Sequence, residues 1–111
     1  MDDTLIGKVV TMQKFVDELG RYGFRYSQVM NSMVLVAPYV PKEFRDCGVE
    51  IVFGPRTASN LVRIEDVRFT ERSNPHYKKT EKPDPGFVGY VAKFLQPALQ
   101  RSLPWHVIQR A

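Results

Sequence analysis

The sequence predicts an α+β domain: a small antiparallel sheet of about four strands, with an N-terminal and a C-terminal helix packed on one face. Apolar residues recur at helical spacing near both ends of the chain. Between them lie short apolar runs of strand length, and their short connections favour antiparallel neighbours. A chain of 111 residues is large enough for one hydrophobic core. We therefore expect a single domain over residues 1–111.

The first element is predicted as a helix from about Thr4 to Leu19. Thr4 is the N-cap candidate, and Gly20 falls where a glycine commonly ends a helix. The apolar face recurs at alternating spacings of four and three residues, and consists of Leu5, Val9, Met12, Val16 and Leu19. Packing against the core is the first use we assign to this face, and the seam of a homodimer is the alternative.

A β-hairpin is predicted next. Its two strands are the alternating run Phe24–Met30 and the apolar run Met33–Ala37, separated by Asn31 and Ser32. Prolines soon after the second run indicate that this strand ends early or lies near a sheet edge. The segment Pro41–Gly48 has the proline start and glycine end of a short helical turn.

Two further strands are predicted at Val49–Phe53 and Leu61–Thr70. Within the second, the alternation of apolar and polar residues slips by one position at Glu65 and Asp66. A β-bulge inserts one extra residue and restores the inward face afterwards, so we expect a bulge at that point.

The C-terminal helix has clear start signals. Asp84 is the predicted N-cap and Pro85 the first helical residue. Its predicted apolar stripe consists of Phe87, Val91, Phe94 and Ala98, with Val88, Leu95 and Leu99 beside it. Pro97 has no amide hydrogen to donate, so the helix should kink or restart there. Between the last strand and this helix, residues 71–84 have almost nothing to bury and are predicted to form a long mobile loop.

Charge is unevenly distributed along the chain. Residues 1–55 carry six Lys and Arg against seven Asp and Glu, whereas residues 56–111 carry ten against five. This asymmetry indicates an anionic partner, nucleic acid or an acidic protein surface. A basic balance that merely keeps the protein soluble is the alternative reading. An acidic N-terminus, a single Cys47 and the lack of a long apolar run predict a cytoplasmic protein without a membrane partner.

Sequence motifs of enzymes and metal sites are lacking, so we expect no catalytic residues, no metal and no cofactor. His76, His106 and Lys78 would suffice for an acid–base mechanism of RNA cleavage, but any two histidines and a lysine fit that description. Cys47 is interpreted as an ordinary free cysteine. The carboxylates that a metal-dependent nuclease would need are interpreted as solvated strand positions: Glu50, Glu65 and Asp66.

Basic residues follow the fourth strand and continue into the loop. If that strand buries its apolar residues, Arg63 and Arg68 project from the opposite face, where guanidinium groups can track phosphates. Tyr77 or His76 would then stack on an unpaired base. The full set of predicted anion-binding residues is Arg56, Arg63, Arg68, Arg72, His76, Tyr77, Lys78, Lys79 and Lys82. Interleaved acidic residues are also typical of an ordinary solvated sheet face.

These patterns predict a small non-enzymatic binding module whose basic strand face and loop contact an anionic partner, nucleic acid in the first place. The alternative is a protein–protein interaction or inhibitor-like accessory domain that uses the same loop against a partner protein. Tyr77 would anchor that contact, because Tyr and Arg are enriched at the centres of interfaces.

Overall fold

The computed structural model describes residues 5–57, 59–74 and 77–104. It confirms an α+β fold with two helices, but the antiparallel sheet has five strands rather than about four. The strand order is β1-β5-β4-β3-β2, so β2 to β5 form a meander and β1 lies beside β5 at the other edge. The bounds are β1 Val9–Thr11, α1 Met12–Gly20, β2 Phe24–Ser27, β3 Ser32–Leu35, β4 Gly48–Phe53, β5 Leu61–Thr70 and α2 Pro85–Ser102.

The additional strand replaces the first half of the predicted N-terminal helix. Gly7 has a φ of 87°, which interrupts any helix there, and its amide donates to the carbonyl of Ile64 at 2.7 Å. The β-branched run that follows pairs with β5, with Val10 opposite Val62. The helix begins only at Met12, and its N-cap is Thr11, whose side chain makes no capping hydrogen bond. Thr4 lies outside the described residues.

The hairpin of β2 and β3 is confirmed, with a longer turn than the sequence indicated. Ser27 pairs with Ser32, so four residues connect the strands, and Asn31 adopts a φ of 51° in that turn. The side-chain amide of Asn31 anchors the turn, because its Nδ2 donates to the carbonyls of Phe53 and Gly54 at 3.2 and 3.0 Å. After β3 the chain forms two short 3₁₀ turns, at Ala37–Tyr39 and Lys42–Phe44. The second one confirms the short helical turn predicted within Pro41–Gly48.

The predicted bulge in β5 is confirmed. Val52 pairs with Asp66 and Phe53 pairs with Ile64, which leaves Glu65 as the extra residue. The bulge keeps one side of β5 apolar along its whole length. Its buried residues on that side are Val62, Ile64, Val67 and Phe69.

The start of α2 is confirmed at Pro85. The Asp84 carboxylate accepts hydrogen bonds from the amides of Gly86 at 2.8 Å and Phe87 at 3.4 Å. The helix continues through Pro97 without restarting. Of the predicted stripe, Phe87, Val91 and Ala98 are buried, but Phe94 is only half-buried. The flanking Leu95 and Leu99 are buried in addition, as is Ser102.

Both helices pack against the inner face of the sheet and against each other. Tyr22, just after α1, stacks on Phe94 with ring centroids 4.5 Å apart, and Arg101 pairs with Glu18 at 3.2 Å. The sheet face opposite the helices is called the outward face below. Within the described part of the chain, neither helix is long and apolar enough to cross a membrane.

Candidate anion-binding face

Strand register places four side chains in one row across the outward face. Arg25 on β2 is opposite Val34 on β3, which is opposite Glu50 on β4, which is opposite Arg68 on β5. Val34 is buried but lies outside the main core cluster, as expected for a residue on this face. Neighbouring strands are about 4.8 Å apart, so Arg25 and Arg68 lie at the two ends of a row about 14 Å long.

Arg63 lies on the same face of β5 as Arg68. Arg63 is exposed and lies opposite Val9, whereas Arg68 is half-buried. At about 3.3 Å per residue the two arginines are about 16 Å apart along the strand. The structure therefore places both predicted strand arginines on the outward face, at separate points.

Arg68 is held by groups of the protein itself. One terminal nitrogen of its guanidinium donates to Glu50 Oε1 at 3.4 Å, and the other donates to the carbonyl oxygen of Tyr77. The prediction that Glu50 is a solvated strand position is wrong, because its exposure is only 4%. Its second oxygen accepts a hydrogen bond from Ser32 Oγ at 2.7 Å. Glu50 is buried because the neighbouring strands supply both partners, which satisfies its charge.

The segment after β5 turns back onto the strand it leaves. Thr70 forms an isolated antiparallel bridge with Lys79, and the amide of Thr80 donates to the carbonyl of Phe69 at 2.9 Å. The hydroxyl of Thr70 donates to the carbonyl of Arg72 at 2.5 Å. Lys79 and Thr80 therefore lie beside the C-terminal end of β5, which pairs with β4 on its other side.

This return brings several predicted site residues together. The guanidinium of Arg72 lies over the ring of Tyr77, 5.4 Å from its centroid, in cation–π geometry. Lys79 pairs with Asp66 at 3.5 Å, and Lys78 is exposed. Lys82 is exposed and follows two residues after Thr80, whose hydroxyl accepts from its amide at 3.3 Å. We call Arg72, Tyr77, Lys78, Lys79 and Lys82 the loop cluster.

Besides the strand arginines Arg63 and Arg68, two predicted residues do not join the loop cluster. Arg56 lies in the connection between β4 and β5, at the opposite end of the sheet, where its Nε donates to Met12 Sδ at 3.2 Å. His76 lies outside the described residues, as does His106, so the structure says nothing of the predicted stacking or acid–base roles of these two histidines.

Sequence reasoning missed two residues of the outward face. Arg25 belongs to it because Arg25 on β2 lies opposite Val34 on β3. The sequence does not show which residues of the two strands lie opposite each other unless the length of the turn between them is known. Glu50 was interpreted as exposed because a carboxylate in a strand usually is. Its burial depends on partners 18 residues away on either side in the chain, Ser32 and Arg68.

Cys47 is a free cysteine whose surroundings disfavour the thiolate. It is half-buried, burial raises the pKa of its thiol, and the carboxylates of Asp84 and Asp46 raise it further. A raised pKa disfavours the thiolate that nucleophilic chemistry requires. Among the described residues, no group of three or more His, Cys, Asp or Glu side chains is placed to hold a metal ion.

An apolar cavity of about 560 Å³ lies away from the loop cluster, between the edge strand β1 and the end of α2. Lys8 and Gln100 contribute the polar side chains among its described lining residues. The others are Val9, Leu61, Leu99, Leu103 and Pro104. This lining is mostly apolar, and Lys8 is its charged side chain.

Comparison of the chain with family models, with curated proteins and with solved structures found no match.

Proposed function

We propose that this protein is a small non-enzymatic binding module that holds an anionic partner on its outward face and loop cluster, and that the partner is single-stranded nucleic acid. The observation that carries the proposal is the Arg72–Tyr77 pair. An exposed aromatic ring beside an arginine and further cations has the composition of a site for an unpaired base and its flanking phosphates.

The cations available for such a partner extend beyond the loop. Arg25, Arg63, Lys78 and Lys82 have no carboxylate within 4.0 Å among the described residues. Arg68 and Lys79 are instead matched by Glu50 and Asp66. Since a duplex presents its bases stacked and paired, Tyr77 favours a single strand, whose bases are open to stacking.

A titration of fluorescently labelled oligonucleotides followed by anisotropy tests the proposal. We expect a single strand to bind more tightly than a duplex of the same length. Neutralisation of about three or four phosphates of a single strand gives a slope of roughly −2 to −3 for log K against log salt concentration. Absence of binding at low salt would exclude nucleic acid as the partner.

The second candidate function is protein recognition. It is favoured by the exposed apolar side chains at the tip of the β2–β3 hairpin, where Val29 is 94% exposed and Met30 is 47% exposed. Side chains of this kind serve as the apolar anchors that protein interfaces bury. Binding of polyglutamate with an affinity equal to that for the oligonucleotide would favour an acidic protein surface as the partner.

A further inference from the structure

The buried carboxylate of Glu50 has no role in the hydrophobic core. It lies on the outward face of the central strand β4, at 4% exposure, while the core residues of that strand point to the helices. A buried carboxylate is costly unless hydrogen-bonded donors compensate it. Each of its oxygens has such a donor, Ser32 Oγ at 2.7 Å and Arg68 Nη1 at 3.4 Å.

Arg68 transmits this anchoring to the loop. The guanidinium is planar and rigid, so fixing one terminal nitrogen on Glu50 orients the other. That other nitrogen donates to the carbonyl oxygen of Tyr77, the aromatic residue of the loop cluster. A continuous series of hydrogen bonds therefore runs from Ser32 on β3 through Glu50 and Arg68 to Tyr77.

The loop is thereby fixed at two neighbouring points. One is the carbonyl of Tyr77, and the other is the bridge of Lys79 to Thr70 with the hydrogen bond from Thr80. Lys78 lies between them and is exposed. Fixing a binding loop before the partner arrives lowers the entropy lost on binding and so increases affinity.

We propose that Glu50 is a positioning residue for the loop cluster, acting through Arg68, and that Arg68 supports the loop instead of contacting phosphate. The inference rests on the proposed function for its binding readout, but the geometry of the loop is measurable without a ligand.

The sign of the effect of Glu50→Gln on affinity separates positioning from simple electrostatics. Removing a negative charge beside an anion-binding face should strengthen oligonucleotide binding if Glu50 contributes only its charge. If Glu50 positions the loop, the same substitution weakens binding several-fold. Tighter binding of Glu50→Gln would overturn the proposal.

The salt dependence of binding tests Arg68. A residue that neutralises a phosphate of a single strand contributes about 0.7 to the slope of log K against log salt concentration. We expect Arg68→Gln to weaken binding with an unchanged slope, and the matched variant Lys78→Gln to reduce the slope by about that amount. The double variant Glu50→Gln/Arg68→Gln should bind no more weakly than either single variant. A reduced slope for Arg68→Gln would identify it as a phosphate contact.

A measurement without ligand keeps the inference separable from the proposed function. Amide hydrogen exchange in Glu50→Gln should accelerate at Tyr77 and Thr80, whose amides donate to the carbonyls of Asn74 and Phe69, and stay slow at Ile51 in the core. Unchanged exchange at both loop amides would contradict positioning, even if no oligonucleotide binds. Arg68→Gln, at a side chain with 24% exposure, repeats the test should Glu50→Gln fail to fold.

Discussion

Leu95 and Phe94 are neighbours on α2 with different environments. Leu95 is fully buried in the core, whereas Phe94 is half-buried and packs at the surface against Tyr22 and Tyr90. Helical spacing is compatible with burial of either residue, because Phe94 and Leu95 lie three and four positions after Val91. Phe87, Val91 and Ala98 are buried as predicted, and the buried stripe continues through Leu95 instead of Phe94.

We therefore predict that Leu95→Ala lowers the free energy of unfolding by about 2–5 kcal/mol, through lost burial and the cavity it leaves. Phe94→Ala should cost less than the roughly 3–5 kcal/mol of a fully buried phenylalanine, because part of its ring already faces solvent. Urea denaturation of both variants measures the difference. A larger loss for Phe94→Ala would show that α2 is rotated from the orientation described.

Cys47 provides a prediction for pH dependence. Because burial, Asp84 and Asp46 all raise the pKa of its thiol, alkylation by iodoacetamide should reach half its maximal rate at a higher pH in the folded protein than in urea. Asp46→Asn should lower that midpoint slightly, since it removes one of the three causes. A folded midpoint at or below that of the unfolded chain would contradict the described surroundings of the thiol.

Sequence patterns predicted an element correctly where residues close together in the chain determine it. The bulge in β5 follows from a slip in alternation at Glu65, and the start of α2 follows from Asp84 and Pro85. The strand β1 could not be predicted in this way. Val9 fits a helical face as well as a strand, and the decision comes from pairing with β5, in which Val10 lies opposite Val62.

The two glycines that flank this corrected region give a matched test of it. Gly7→Ala should destabilise the protein by about 1 kcal/mol, because a φ of 87° is strained for an alanine although the space around it is open. Gly20→Ala also meets open space, but without positive φ, so it should be neutral or slightly stabilising. Equal effects of the two substitutions on the melting temperature would contradict the positive φ of Gly7, which interrupts the predicted helix before β1.

The N-cap of α2 gives a second prediction for an element. Asp84→Ala should lower the free energy of unfolding by about 0.5–2 kcal/mol, since the amides of Gly86 and Phe87 lose their acceptor. Asp84→Asn keeps an oxygen acceptor and should retain most of the stability. Chemical denaturation of both variants measures this, and equal losses would indicate that the charge of Asp84 matters more than its hydrogen bonds.

At the scale of the whole molecule, the fold separates an apolar inner face from a charged outward face. Both helices cover the inner face, and the arginines of β2 and β5 share the outward face with the loop cluster. The sequence placed Arg63 and Arg68 correctly, because the alternation of β5 determines their side. The set predicted from the sequence contains two cations that are paired in the structure. Arg68 pairs with Glu50 on β4, and Lys79 pairs with Asp66 on β5, and neither partner is close in sequence.

The affinity of the loop variant Lys78→Ala/Lys79→Ala/Lys82→Ala for a single-stranded oligonucleotide tests the proposed function most directly. The control variant loses the same charge from exposed lysines of α1, the second 3₁₀ turn and α2, at Lys14, Lys42 and Lys93. We expect the loop variant to bind more weakly and with a smaller salt slope, and the control to bind like the unmodified protein. Both should keep their melting temperatures, because each exposed substitution changes stability by about 0.5 kcal/mol or less. Equal weakening of both variants would mean that only net charge attracts the oligonucleotide, and would contradict a binding site at the loop cluster.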